Sequence, residues 1–170
     1  VYNFPPAMGI SYGVDRMDIL VREVPSIAYM KDSSGDFALF DALSAANLGI
    51  GLFPGEDALA FPGFLKGAAG AISSAANFVG PAMAKMYQHA LDGNANEVMR
   101  VWRGINPVIS AVIHSGHYNG GVKAACAALG FATGPIRKPY GTLPNEKVEA
   151  IASAVKATDP SLLNTPRAAI

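Results

Sequence analysis

The chain has 170 residues, enough for one domain with a sizeable core, and its thirteen basic residues balance thirteen acidic ones. Without a net positive field it is not built to hold nucleic acid or an anionic membrane surface, and no apolar run reaches the roughly 18 residues of a membrane helix. Hydrophobic residues make up 51% and charged residues 15%, against a usual charged share of roughly 25%, so a subunit interface or a face awaiting cover is expected.

In chain order, Val1-Tyr2-Asn3 reads as the last residues of a strand, followed by a turn through Pro5, Pro6 and Gly9. Asp15 to Val24 reads as a helix, with Met17, Leu20, Val21 and Val24 at helical spacing. Ile27 to Lys31 is a strand, and Asp36 is the N-cap of a helix carrying Phe37, Phe40, Leu43 and Ala46. Leu48 to Phe53 is the next strand, closed by Pro54-Gly55 and followed by a helix from Asp57 to Lys66. Gly70 to Ser74 reads as a third complete strand, and Pro81 starts a helix with Met83, Met86, Tyr87 and Ala90. After Asp92-Gly93-Asn94 the pattern turns helical: Ala95 to Ile113, Val122 to Leu129 and, beyond a Pro/Gly-rich stretch ending at Pro144, Asn145 to Lys156.

Strand–helix alternation with short connections implies parallel strands and right-handed crossovers. Three complete units plus a strand stub suit half of an eight-fold α/β barrel followed by a helical tail, since a whole barrel needs about 250 residues. The chain opens on Val1 at the tip of a strand, so the N-terminal part of the fold is expected to be missing. A small doubly wound sheet is the competing architecture. Cys126, the single cysteine, cannot close an internal disulfide and fits a reducing compartment; a cytoplasmic location is expected.

Chemistry concentrates at the strand ends. Alternation puts Ile27, Tyr29 and Lys31 on one face, and Lys31 then stands at the carboxyl-terminal mouth, where barrel active sites lie. A desolvated lysine loses proton affinity, and its neutral amine can attack a ketone to form a Schiff base. The ordinary alternative is a solvated strand-end lysine. Tyr2 lies on the preceding strand end, where a phenol can shuttle protons to an imine, or simply cap a core. Gly55, Glu56 and Asp57 close the next strand; Asp57 can serve the helix dipole or touch a polar substrate. Ile72-Ser73-Ser74 and Asn77 close the last strand with groups suited to substrate hydroxyls or to turn hydrogen bonds.

His114 and His117 lack a third ligand at a recognisable spacing, so no metal site is expected. Gly49-Ile50-Gly51-Leu52-Phe53-Pro54-Gly55 is not a dinucleotide loop, because its first glycines fall inside the strand and Pro54 occupies the loop interior. Arg137-Lys138 follows a Gly-Pro turn, where surface charge is the plain reading and anion binding the sharper one.

Tyr2-Asn3-Phe4-Pro5-Pro6-Ala7-Met8-Gly9 and Lys31-Asp32-Ser33-Ser34-Gly35-Asp36, one crossover helix apart, resemble the tyrosine and lysine motifs of the dihydrodipicolinate synthase/N-acetylneuraminate lyase family of Schiff-base pyruvate aldolases. Gly55-Glu56-Asp57, Ala71 to Asn77 and Gly134 to Pro139 resemble the following two strand ends and a late loop of that family. The resemblance covers most of the chain and implies the C-terminal half of a (β/α)8 TIM barrel. Residues 1–92 would supply the strand 5 to 8 region, and residues 93–170 the C-terminal helices packing on it.

The resemblance further implies that Lys31 forms the imine with pyruvate or another 2-oxo acid and that Tyr2 relays protons. Ile72 and Gly55 would lie near the bound oxo acid, and Asp57 and Ser74 near substrate hydroxyls. It implies no metal or organic cofactor, the covalent imine on Lys31 doing that work. It implies as partners a 2-oxo acid and an aldehyde, the N-terminal half of the barrel, and a homo-oligomer, commonly a tetramer. Two departures stand out. The family's carboxylate-binding Thr-Thr motif lies before Val1. Ala7 stands where dihydrodipicolinate synthases carry an arginine, removing a charge-assisted clamp worth roughly 1.5–3 kcal/mol. A sugar acid or aromatic 2-oxo acid is therefore the expected substrate, with aldol cleavage, condensation or dehydration as the reaction. The alternatives are a 4-hydroxy-tetrahydrodipicolinate synthase and, from another class, a non-catalytic barrel fragment serving as a binding or scaffold subunit.

Overall fold

The computed structural model describes residues 1–166. They form two compact units, one of Val1–Ser73 with Tyr87–Ala95, the other of Ser74–Met86 with Asn96 onward.

The first unit is built on a parallel sheet in the order β1-β2-β3, with β1 Tyr2–Asn3, β2 Tyr29–Asp32 and β3 Gly51–Pro54. Tyr2 pairs with Lys31 and Lys31 with Phe53; Asn3 pairs with Asp32 and Asp32 with Pro54. Because side chains alternate along a strand, these two rows face opposite sides of the sheet. Asn3, Met30, Asp32, Leu52 and Pro54 are buried, whereas Tyr2 and Tyr29 are exposed and Lys31 and Phe53 half-buried. One face of the sheet is covered and the other is open.

Short helices follow each strand. Pro5 and Pro6 close the turn after β1 into one helical turn, α1 (Pro5–Met8), because a missing N–H costs nothing at a helix start. Gly9 ends it at φ +70° with its N–H on the Pro5 carbonyl. Crossover helix α2 (Val14–Glu23) buries Met17 and leads to β2. Crossover helix α3 (Phe37–Ala45) is capped by Asp36, which accepts the Leu39 N–H at 3.1 Å, and buries Phe40 and Leu43. After β3, a 3-10 turn (Asp57–Leu59) leads into α4 (Ala60–Leu65). Pro62 falls in the first turn of α4, where it is tolerated.

The expected strand from Gly70 to Ser74 is not formed. The Ala69 N–H reaches the Leu52 carbonyl at 2.9 Å and the Ile72 N–H reaches Pro54 at 3.1 Å. Donors three apart against acceptors two apart leave one extra residue, which breaks the regular ladder. Gly70 lies at that break, so close to β3 that a Cβ there would stand 2.8 Å from the Phe53 ring.

The second unit is helical. Helix α5 (Ala76–Leu91) contributes its residues up to Met86; it joins a short turn from Ala76 to a longer helix whose first turn holds Pro81, as expected. Val79 is non-helical (φ −124°, ψ 31°), which accommodates Pro81 at the cost of a kink. Asn164 satisfies the groups freed there: its Oδ1 accepts the Gly80 N–H at 2.7 Å, its Nδ2 donates to the Ala76 carbonyl at 3.0 Å, and its own N–H reaches the Phe78 carbonyl at 2.9 Å. Helix α6 (Ala95–Ile113) buries Val98, Val101, Trp102, Ile105, Val108, Ile109 and Val112, a stripe of helical period, while Pro107 lies on its exposed side.

Helix α7 (Tyr118–Ala128) begins before the expected Val122, because His117 caps it by accepting the Gly120 N–H at 2.9 Å. Gly121 lets α7 approach the end of α6: a Cβ there would meet the Val112 carbonyl at 2.8 Å. Helix α8 (Asn145–Ala157) packs on α7 and buries Ile151 and Val155. No helix among the described residues is long and apolar enough to cross a membrane.

Candidate active site at the strand ends

The register that pairs Tyr2 with Lys31 sets a phenol and an amine side by side on the open face. The Lys31 Nζ lies 4.6 Å from the centroid of the Tyr2 ring. This ring in turn stacks on Phe4 at 5.7 Å between centroids and 19° between planes. On the other side of Lys31 in the same row, Phe53 meets Tyr29 edge-on at 5.7 Å. The amine therefore stands in an aromatic setting that contributes a cation–π contact and leaves the group half-exposed.

Gly55 is the floor under that lysine. A Cβ there would collide with the Ser33 Oγ and stand 2.6 Å from the Lys31 Cε, so only glycine lets the aliphatic stem lie across this point. Asp57, 2% exposed, accepts a short hydrogen bond from the Ser73 hydroxyl, which ties the end of β3 to the segment carrying Ile72. Ile72 is 51% exposed with its N–H committed to Pro54. Burial, then Asp57, push the Glu56 carboxyl above its ordinary value; Lys31 pulls it the other way and Asp32 adds to the rise.

Tyr2, Lys31, Gly55, Asp57 and Ile72 thus all lie in the first unit, at or beyond the carboxyl ends of the strands. Ser74 belongs to the second unit. There it lines an open pocket of about 510 Å³ with Asn77, His117, Lys123, Arg137 and Tyr140. Lys123 donates to the Thr133 and Pro135 carbonyls at 2.9 Å each and so holds the loop that carries Arg137. His117 presents its ring edge-on to Tyr140 at 4.6 Å while serving as the α7 cap. The other histidine of the pair, His114, places Nδ1 2.8 Å from the Ser110 carbonyl of its own helix. Among the described residues no group of three or more His, Cys, Asp or Glu is placed to hold a metal ion.

Sequence reasoning missed the polar residues behind the site. Asn3 and Asp32 are 0% and 1% exposed, and the Asn3 Nδ2 donates to the Asp32 Oδ1 at 2.6 Å. Alternation alone puts Asp32 opposite Lys31 and Asn3 opposite Tyr2, but that the two polar residues share the covered face follows only from the strand register.

A sequence profile of the dihydrodipicolinate synthetase family matches residues 1–158. Among curated relatives, a 4-hydroxy-tetrahydrodipicolinate synthase of Symbiobacterium thermophilum is 30% identical over 158 residues, covering 89% of this chain and 51% of that protein. An N-acetylneuraminate lyase of Salmonella typhimurium is 27% identical over 152 residues, covering 89% and 50%. Among solved structures, a dihydrodipicolinate synthase of Cyanidioschyzon merolae with lysine bound superposes with a TM-score of 0.82 at 28% identity, covering 92% of this chain and 53% of that one. The N-acetylneuraminate lyase of Fusobacterium nucleatum superposes at 0.78 with 24% identity, covering 91% and 53%. The chain spans about half the length of the relatives it matches, and its fold is that of about half of one of these TIM barrels. With the profile covering nearly all of it, the chain belongs to the dihydrodipicolinate synthetase family.

Proposed function

We propose that the protein is a Schiff-base-forming lyase or aldolase acting on pyruvate or a related 2-oxo acid, with Lys31 as the nucleophile. The observation that carries this reading is the Lys31 amine poised over the Tyr2 ring at the strand ends, half-exposed on the open face. The free amine attacks C2 of the oxo acid, the carbinolamine loses water, and a protonated imine forms. Its positive charge draws electrons from the adjacent bonds, so a proton leaves C3 to give an enamine, or a carbon–carbon bond breaks or forms there. Tyr2 is the proton relay in this scheme. Gly55 gives the lysine its path, Ile72 flanks the oxo acid, and Asp57 and Ser74 serve substrate hydroxyls. The imine itself supplies the electron sink, so the reaction needs no added cofactor.

The preferred substrate is a sugar acid or an aromatic 2-oxo acid. Its support is Ala7, which offers no cation to a second substrate's carboxylate, together with the likeness to an N-acetylneuraminate lyase. The likeness to a 4-hydroxy-tetrahydrodipicolinate synthase favours a second reading, condensation of pyruvate with aspartate semialdehyde. In either case the whole enzyme includes the N-terminal barrel half with its carboxylate-binding turn, and it assembles as a homo-oligomer, a tetramer by family resemblance. Incubating the protein with pyruvate and borohydride should leave a reduced pyruvyl group on Lys31, read by peptide mass spectrometry. A folded protein complete with its N-terminal barrel half that gains no adduct there overturns the reading, and preferential turnover of aspartate semialdehyde selects the second one.

A further inference from the structure

Nζ of Lys31 and the ring of Tyr2 meet because two adjacent strands hold one register, and β1 is only two residues long. So short a strand has a short ladder, flanked by bonds from the Val1 amine to the Tyr29 carbonyl at 2.8 Å, the Lys31 N–H to the Val1 carbonyl at 2.9 Å and the Ser33 N–H to the Asn3 carbonyl at 2.8 Å. A one-residue slip would turn Tyr2 to the opposite face. The side chains one step along, on the covered face, make the stronger link. The Asn3 Nδ2 donates to the buried Asp32 Oδ1 at 2.6 Å, a charge-assisted bond out of contact with water.

Both partners are anchored beyond the pair. The Asn3 Oδ1 accepts the Tyr12 N–H at 3.0 Å, which fixes which way the amide faces. The Asp32 Oδ2 accepts the Ser34 hydroxyl at 2.9 Å, and the Ser34 Oγ accepts the N–H of Asp36, the cap of α3, at 3.2 Å. A chain of hydrogen bonds thus runs from the loop after α1, through the row behind Tyr2 and Lys31, into the start of α3.

We propose that Asn3 and Asp32 are positioning residues that hold the Lys31 amine over the Tyr2 phenol, acting from the covered side of the sheet without touching substrate. The proposal rests on the Schiff-base reading for its consequence in rate, but the positioning itself can be read without any substrate. Misplacing a reacting group by about 1 Å costs on the order of 100-fold in rate. An Asp32→Asn variant loses the charge-assisted bond, whereas the exchange Asn3→Asp with Asp32→Asn rebuilds it in reverse. In that exchange the residue at 3 accepts from Tyr12 and from the amide at 32, whose oxygen accepts from the Ser34 hydroxyl, at the loss of the long 3.3 Å bond from the Ser34 N–H to the Asp32 Oδ1.

Two measurements test this, on the full chain joined by a separately produced N-terminal half of a family barrel. In the first, NMR reads the Lys31 ε-methylene protons, which the Tyr2 ring current shifts upfield. That shift is expected to collapse in Asp32→Asn and to return in the exchanged pair, with melting temperatures showing both variants folded. In the second, the maximal rate of pyruvate-dependent borohydride trapping is expected to fall about 10- to 100-fold in Asp32→Asn, with little change in the pyruvate concentration giving half-maximal rate, and to recover in the exchange. An unchanged ring-current shift in folded Asp32→Asn overturns the positioning role, whatever the trapping shows. A normal ring-current pattern in the parent complex with no adduct at all overturns the Schiff-base reading instead.

Discussion

Glu56 sits among three charged neighbours at the end of β3, and the balance among them gives a measurable pH dependence. Burial, Asp57 and Asp32 raise its pKa from the ordinary 4.5, and Lys31 only partly offsets them. A carboxyl with a raised folded-state value binds its proton more readily in the folded protein. The resulting stabilisation is complete below the unfolded value and is lost as pH rises through the folded one. Replacing the residue by an uncharged glutamine removes that loss. Glu56→Gln should therefore melt above the parent at neutral pH, and the gap should close as pH falls below 4.5. The side chain remains largely in contact with solvent, so a gap on the order of a degree is expected. Melting curves across the acid-to-neutral range check this, and a gap that widens on acidification contradicts it. The strand-end positions of Lys31 and Gly55 were legible from the sequence because an apolar run that breaks into a polar turn marks a strand end locally. Asn3 and Asp32 were not, since their partnership spans two strands and is seen only once the register is known.

The elements show the same division between local and distant causes. Asp36 was readable as a cap because its partner, the Leu39 N–H, lies three residues away. Pro81 was readable as opening the long part of α5, but the short turn before the kink was not, because Asn164, which supports it, lies 84 positions from Gly80. Its three hydrogen bonds satisfy the backbone groups exposed by the kink at Val79. Asn164→Ala leaves the half-buried Gly80 N–H without its acceptor and should cost about 1–3 kcal/mol. Chemical denaturation is the measurement, and a midpoint within error of the parent's would show that water replaces the clamp without loss. The Gly70–Ser74 segment failed as a strand for a related reason. Its composition is compatible with pairing, but one surplus residue against β3 is a property of two segments together and leaves no mark in either alone.

At the scale of the whole molecule, alternating strands and helices followed by a helical run made half of a barrel legible, and the solved barrels it superposes on bear that out. The same architecture leaves an imbalance in the first unit. One face of its sheet is buried, while the other presents Tyr2 at 45% and Tyr29 at 61% exposure. Among the described residues β1 pairs only with β2, so its outer edge carries unpaired backbone groups as well. An open apolar face beside an open strand edge is a template for association. The 170-residue chain on its own should therefore self-associate, with an apparent mass by light scattering that rises with protein concentration and with binding of a hydrophobic dye. Adding a separately produced N-terminal half of a family barrel should replace those species with a complex of fixed stoichiometry, because in the barrel proposed above the same face and edge would lie inside. The opposite result, a monomer at every concentration with a single cooperative unfolding transition, would mean that the exposed aromatic row is stable in water. The open face would then be a surface in its own right, and not one half of a barrel interior.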